Sequence, residues 1–281
     1  MRFPRIVSEL LANKKFVTGI SVFLAVLIIG AVGPLLYPVD PEDMSFPSSM
    51  PPCPEHPLGT DYVGRDVLAQ LLRGILSSLY VGFLAGVVAL AIGVLVGAVA
   101  AMRGGVVDEG LMAFTNAVLL MPTTLVLILI AALFKTRSIE LVALLIGITS
   151  WPWLARVVRG EFLSLKERDF VYMSLLAGDR WLSISLFDLL PNMATYIAMS
   201  FAELVAGAIL QEAGISFIGL GPTEGVTLGR IFFWIQTNNA VIRGLWWWWL
   251  PTTVVIVAIA ASLVLVSISL DEVFNPRLRG G

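Results

Sequence analysis

Six runs of predominantly apolar residues dominate the chain: Phe16–Tyr37, Leu79–Met102, Leu111–Phe134, Ile139–Ala155, Met193–Leu220 and Leu245–Leu270. Each is roughly 17–28 residues long, and a helix needs about 20 such residues to cross the hydrocarbon core of a bilayer. Transmembrane strands are shorter and alternate in polarity; these runs do neither. The expected fold is therefore all-α, a polytopic membrane protein with six transmembrane helices. Composition agrees: 58% of residues are hydrophobic and only 14% charged, against about 45–50% and 25% in soluble domains. The same balance excludes a disordered chain. A single cysteine, Cys53, excludes a disulfide framework and a cysteine-based zinc site, and a single histidine, His56, excludes a histidine cluster. A net charge of −2 excludes a basic nucleic-acid-binding surface as the dominant feature.

Charge placement sets the orientation. Loops on the cytoplasmic side carry an excess of Lys and Arg. With the N-terminus inside, the inner segments hold Arg2, Arg5, Lys14, Lys15, Arg103, Arg156, Arg159, Lys166, Arg168, Arg180, Arg277 and Arg279. The outer segments hold only Arg65, Arg73, Lys135, Arg137, Arg230 and Arg243. Both termini are expected to be cytoplasmic. The first run lacks a small-residue cleavage site and ends in Pro34, Leu35, Leu36 and Tyr37, so it reads as an uncleaved anchor. Trp246–Trp249 open the sixth run, where indole rings suit the membrane boundary; an aromatic substrate platform is the alternative. Gly82 with Gly86, and Gly93 with Gly97, have the small-xxx-small spacing that lets helices approach. Pro122 predicts a kink in the third run. The chain divides into an anchor helix with an extracytoplasmic loop, 1–77, and a transmembrane core, 78–281, whose longest inner loop spans 156–192.

That loop is too polar to span and too apolar for a linker. Phe170, Val171, Met173, Leu175 and Leu176 crowd one stretch; Trp181, Leu182, Ile184, Leu186, Phe187, Leu189 and Leu190 crowd the next. Gly178 lies between them, where a helix ends or turns, and Pro191 closes the second. Two short amphipathic helices at the cytoplasmic surface are expected. Periodicity alone is compatible with helices lying in the headgroup region and with a docking element for a cytoplasmic partner.

The run from Arg168 to Asn192, RDFVYMSLLAGDRWLSISLFDLLPN, resembles the cytoplasmic-loop signature of ABC importer permeases, in which Glu-Ala-Ala is followed after three residues by Gly and later by Leu-Pro-Asn. Gly178 matches the glycine, and Leu190, Pro191 and Asn192 match the ending. Three more stretches resemble the C-type permease subunit of dipeptide, oligopeptide and nickel importers: HPLGTDYVGRDVLAQLLRG from His56, LARVVRGEFLSLKERDFV from Leu154, and QEAGISFIGLG from Gln211, with the tail NPRLRGG. The likeness covers nearly the whole chain. Tyr172, Met173 and Ser174 replace Glu-Ala-Ala, Asp188 stands where the family often has His, and Leu76 where an Arg is usual.

The resemblance implies a permease that pairs with a related B-type subunit to form the pathway. Two ATPase subunits would dock below and an extracellular solute-binding protein would deliver cargo above, in a prokaryotic plasma membrane. Peptides are the favoured cargo, with nickel complexes or oligosaccharides as alternatives. ATP would be used by the partner subunits and no cofactor bound here. None of Lys14, Lys15, Lys135 or Lys166 follows a glycine, so the chain has no phosphate-cradling Walker loop and is not itself an ATPase. The residues expected to couple to the ATPase are Arg168, Tyr172, Met173, Ser174, Gly178, Asp179, Pro191 and Asn192.

Two acids lie in the fifth run, Glu203 and Glu212. A carboxylate there faces the bundle interior or a cavity; each is either a pathway or cation-binding acid, or an internally bonded acid that pins helix packing. Gly59, Asp61, Gly64, Arg65 and Asp66 form an outer-surface motif whose charges suit local salt bridges or contact with the binding protein. His56 and Cys53 read as loop residues. A stand-alone secondary transporter or channel is the rival class, but it usually carries internal repeats, and the two halves show none. An intramembrane serine hydrolase would need a histidine near its nucleophile, and His56 is in an outer loop.

Overall fold

The computed structural model describes residues 3–274. Arg2, Arg277, Arg279 and the NPRLRGG run lie outside them. A short helix α1 (Phe3–Ala12) precedes α2 (Lys14–Leu36), whose first turn is capped by Asn13 Oδ1, accepting from the Lys15 and Phe16 amides. There follow α3 (Val67–Arg103), α4 (Gly105–Leu120), α5 (Thr123–Ala132) and α6 (Ile139–Lys166). The loop helices are α7 (Asp169–Leu176), α8 (Trp181–Ser183), a π-helix (Ile184–Leu189) and α9 (Leu190–Asn192). The chain ends through α10 (Ala194–Phe217), α11 (Leu228–Thr237) and α12 (Trp246–Phe274). Among the described residues five helices (α2, α3, α6, α10 and α12) are long and apolar enough to cross a membrane, and the bent pair α4–α5 brings the number to six when counted as one broken span. Among the described residues there is no strand, only an isolated bridge between Thr60 and Asp66. The all-α polytopic expectation holds.

Several boundaries differ from the apolar runs. α3 starts at Val67, not near Leu79, because the Asp66 carboxylate caps it, accepting from the Ala69 amide at 2.7 Å. Gln70 and Ser78 interrupt hydropathy there, yet both are buried against protein. The 77/78 division consequently falls inside one continuous helix. α6 runs on to Lys166 instead of stopping at Ala155, so the inner loop proper begins at Glu167. Arg159 lies on this extension and makes a two-pronged bond to Asp108 of α4, at 2.5 and 2.6 Å. Pro122 does more than kink the third span: Met121 and Pro122 are extended, and α4 and α5 meet at 80°. The tryptophan run divides. Trp246 is exposed, but Trp248 is fully buried against Tyr62, and the Trp247 indole N–H donates to the Thr60 carbonyl. Half of this expected membrane anchor instead holds the 37–66 loop.

α3 is the central column. Gly82 and Gly86 admit Val205 and Ile209 of α10, while Gly93 and Gly97 admit Leu154, Ala155 and Val158 of α6. Gly147 of α6 returns the contact, lying against the Ala85 carbonyl and Val88. One apolar core joins α2, α3, α10, α11 and α12; a second gathers α3 and α6 around the loop helices. Glu272 near the end of α12 accepts from Asn13 and Lys15, fastening the start of α2 to the end of α12.

Adding one methyl group tests the α3–α6 contact. A Cβ at position 97 would lie 2.5 Å from the Ala155 carbonyl oxygen, a backbone atom with little freedom to move. Gly97→Ala should destabilise the protein by about 1–3 kcal/mol, read as a lower thermal unfolding midpoint in detergent. Gly160→Ala, where a Cβ meets nothing within 4 Å, should leave the midpoint unchanged.

Candidate functional site

The expected coupling residues lie on a compact helical hook. α7 begins after Arg168, whose backbone is extended (ψ 147°), with Asp169 in the first turn. It ends in a Schellman turn: Gly178 N–H donates to Leu175 C=O at 3.0 Å and Asp179 N–H to Ser174 C=O at 3.1 Å. Gly178 has φ +88°, a conformation that side-chain-bearing residues resist. The chain then reverses into α8, the π-helix and α9. The expected helix–glycine–helix arrangement is present, with the second helix wider than an α-helix. Its π-helical turns place Ile184 and Leu189 in the core with Val171, Ala98, Ala101, Val158 and Phe162. The outward side stays apolar: Tyr172, Met173, Leu176, Leu182, Leu186 and Phe187 are all exposed, Leu176 at 84% and Phe187 at 75%. Arg168, Asp169, Asp179 and Arg180 are exposed beside them.

Two departures from the family pattern meet inside this hook. The Ser174 hydroxyl donates to the Asp188 carboxylate at 3.0 Å, tying α7 to the π-helix. The Asn192 side chain donates to the Asp188 carbonyl at 2.7 Å. Ser185 bonds to the Trp181 carbonyl and touches Met102 of α3, and the Lys166 ammonium lies 4.7 Å from the centre of the Trp181 ring. Pro191 lies directly after the π-helix, where the winding returns from π to α, and its missing N–H falls at that change of hydrogen-bond pattern.

At the other end of α3 the 37–66 loop is ordered by two buried carboxylates. Asp61 Oδ1 accepts from the Val63 and Arg65 amides, both at 2.9 Å; Oδ2 accepts from Arg65 Nε at 2.7 Å and Gln70 Nε2 at 3.0 Å. The Arg65 guanidinium stacks 3.6 Å from the centre of the Trp234 ring. Asp66 Oδ2 meets the Tyr37 hydroxyl at 2.8 Å and His56 Nδ1 at 2.6 Å. The Tyr37 phenol is the donor in its contact with Asp66. Gly59 and Gly64 take positive φ, with Gly59 against Met50 and Trp247 and Gly64 against Phe46. His56 is a loop residue, as expected, and is buried there as a partner of Asp66. No group of three or more metal-binding side chains occurs among the described residues.

The two membrane acids part company. Glu212 is fully buried; its Oε1 accepts from Ser216 at 2.6 Å and Thr227 at 2.8 Å, and a Cβ on Gly229 would lie 2.5 Å from it. It pins α10 to α11. Glu203 is exposed, accepts from Ser267 of α12 at 2.9 Å, and opens onto a cleft of about 290 Å³ between α6, α10 and the α4–α5 break. Sequence reasoning missed the companions of Glu203 in that cleft, Thr149, Ser150 and Gln211. The signal was the Glu203–Gly207–Gln211 spacing, which shares one helix face. It also missed Arg137, counted only as an outer charge. Arg137 is buried and donates to the Phe134, Gly219 and Gly221 carbonyls, closing the end of α5 onto the turn after α10.

Comparison with known proteins gives these features a family. Residues 90–280 match the family described as binding-protein-dependent transport system inner membrane component. The chain is 32% identical over 210 residues to the dipeptide transport system permease protein DppC of Bacillus subtilis, covering 74% of this chain and 65% of that one. It is 31% identical over 229 residues to the oligopeptide transport system permease protein OppC of Mycobacterium bovis, covering 80% and 79%. It is 34% identical over 215 residues to OppC of Haemophilus influenzae, covering 75% and 69%. The chain spans just under two thirds of the length of the Bacillus protein. The chain belongs to the family of binding-protein-dependent transport system inner membrane components.

Truncating Asp61 would leave the buried Arg65 unpaired. Asp61→Ala should destabilise the protein by about 3–5 kcal/mol, the penalty for an orphaned buried charge. The readout is the unfolding midpoint, or the yield of monodisperse protein if the loss exceeds what the fold tolerates. Glu42→Ala, removing an exposed partner of Arg230, should shift the midpoint little.

Proposed function

We propose that the chain is the transmembrane permease subunit of an ATP-driven importer, with peptides as its cargo. Family membership supports the transport role. The dipeptide and oligopeptide names of the relatives support the cargo. In this reading it pairs with a related B-type permease, two ATPase subunits dock below the pair, one of them on this chain's 168–192 hook, and an extracellular solute-binding protein delivers peptide from the side of the 37–66 loop. The termini are cytoplasmic and the membrane is a prokaryotic plasma membrane. ATP belongs to the partner subunits. The 78–281 portion acts as the permease core and residues 1–77 as anchor and outer loop, sharing α3 across the division.

The observation that carries the coupling role is the hook itself. Its outer side exposes Met173, Leu176, Leu182 and Phe187, while its inner side is locked by Val171, Ile184 and Leu189 into α3 and α6. Exposed apolar side chains on a rigid base suit insertion into a partner's groove. Closing of the ATPase dimer on ATP would carry that groove, and the hook with it. Because the hook is embedded rather than tethered, displacement would pass to α3 and α6 as rigid-body rocking, which switches access across the membrane. Arg168, Tyr172 and Asp179 edge the docking surface; Ser174, Gly178, Pro191 and Asn192 hold its shape.

Gly178 gives the test. Proline cannot adopt its positive φ and removes the N–H that closes α7, whereas asparagine tolerates that conformation. In the reconstituted complex, Gly178→Pro should lower peptide uptake per ATP hydrolysed by roughly tenfold, within the usual span of coupling energies. Gly178→Asn should stay near wild type. Unchanged coupling in Gly178→Pro would count against the assignment.

A further inference from the structure

We propose that Glu203, with Gln211, Ser150 and Trp153, forms an intramembrane site for the ammonium group of a primary amine. The inference rests on the transport reading above, to which it adds a preferred chemical group of the cargo.

The acid has company but no counter-charge. Glu203 accepts one hydrogen bond, from Ser267, and no salt bridge holds it among the described residues. No Lys, Arg or His lines the cleft into which it opens. Glu203, Gly207 and Gln211 are four residues apart along α10, so they share one face. Gly207 keeps that face open, since a Cβ there would meet nothing within 4 Å.

The facing wall is built of acceptors. Thr149 donates its hydroxyl hydrogen back to the Leu145 or Ile146 carbonyl, each at 3.0 Å, and Ser150 donates to Ile146 at 2.7 Å in preference to Gln211 Oε1 at 3.4 Å. With those hydrogens committed to the backbone, lone pairs are what the hydroxyls have left to offer the cleft. The exposed Trp153 ring adds a π face, which attracts cations. The first turn of α5, at Thr123, contributes partial positive charge, less than the full unit on the carboxylate. An ammonium carries three donors and no acceptor, and it matches a carboxylate, hydroxyl lone pairs and an aromatic face. A carboxylate matches that set poorly, since only the Gln211 amide could donate to it and Glu203 would repel it. Glu212 offers no rival site: its carboxylate is fully buried, with Ser216 and Thr227 on Oε1 and the Gly229 backbone packed against both oxygens.

A labelling experiment tests the site independently of transport. The purified complex in nanodiscs is treated with a hydrophobic carbodiimide, and labelling is quantified by mass spectrometry as the loss of unmodified Glu203, so that an activated carboxyl counts as labelled whether it ends as the N-acylurea or as an amide with added amine. Butylammonium and tri-alanine should slow labelling by about fivefold, the upper end for a partly solvated ion pair. Butanol and N-acetyl-tri-alanine at equal concentration should not. Equal labelling in all four conditions would overturn the proposal. In uptake assays Glu203→Gln should raise the KM for tri-alanine about fivefold, with ATPase activity retained, while Glu203→Asp restores part of the affinity. An unchanged KM in Glu203→Gln would also overturn it. Amine-specific protection without any peptide uptake would retain the site and refute the peptide-importer reading. If Glu203→Gln fails to assemble, the wild-type labelling decides the matter alone.

Discussion

α3 and α6 approach so closely that a methyl group on Gly97 would fall 2.5 Å from the Ala155 carbonyl oxygen. Lipid gives helices little hydrophobic reason to associate, so close packing of small residues must supply the attraction. Gly93 and Gly97 on one helix, and Gly147 on the other, allow it. The paired helices form a stiff column. Its one end receives the 37–66 loop through the Asp66 cap, and its other end receives the hook through Val158, Phe162, Ala98 and Ala101. Loop, membrane core and hook are thereby parts of one body.

Much of this was legible in the sequence, and the failures have a common cause. Apolar runs located the six spans because hydropathy reports where a bilayer can lie. It does not report where a helix ends. α3 extends back to Val67 past Gln70 and Ser78, whose polarity hides their burial, and α6 extends forward past Arg156 to Lys166. Gly178 was readable because it separates two short stretches too polar to span, where a glycine marks a helix end. The π-helical winding of Ile184–Leu189 was not, since its hydrogen bonds follow from packing on distant helices.

The same cause explains the two acids. Glu203 and Glu212 lie nine residues apart on one helix and look alike in the sequence. Their environments come from elsewhere: Thr227 and Gly229 from α11 enclose one, while Ser267 from α12 and the α6 wall frame the other. Distance along the chain conceals such partners. Asp61 and Arg65 are the opposite case, four residues apart and readable as a pair, although the Trp234 ring that covers them is not.

The 80° break between α4 and α5 bears on the surrounding lipid. The two pieces hold 16 and 10 residues, or about 24 and 15 Å at the helical rise, so neither alone bridges a hydrocarbon core of about 30 Å. Pro122 supplies no N–H; its carbonyl accepts from the Leu125 and Val126 amides, which leaves the Thr123 and Thr124 amides as those without a helical partner. Acyl chains offer no hydrogen bonds to such groups. Water or another protein must therefore face this break, which Leu119 and Thr123 share with the Glu203 cleft. A polar cleft rather than acyl chains is thus what the broken third span requires beside it, and the Glu203 cleft lies there.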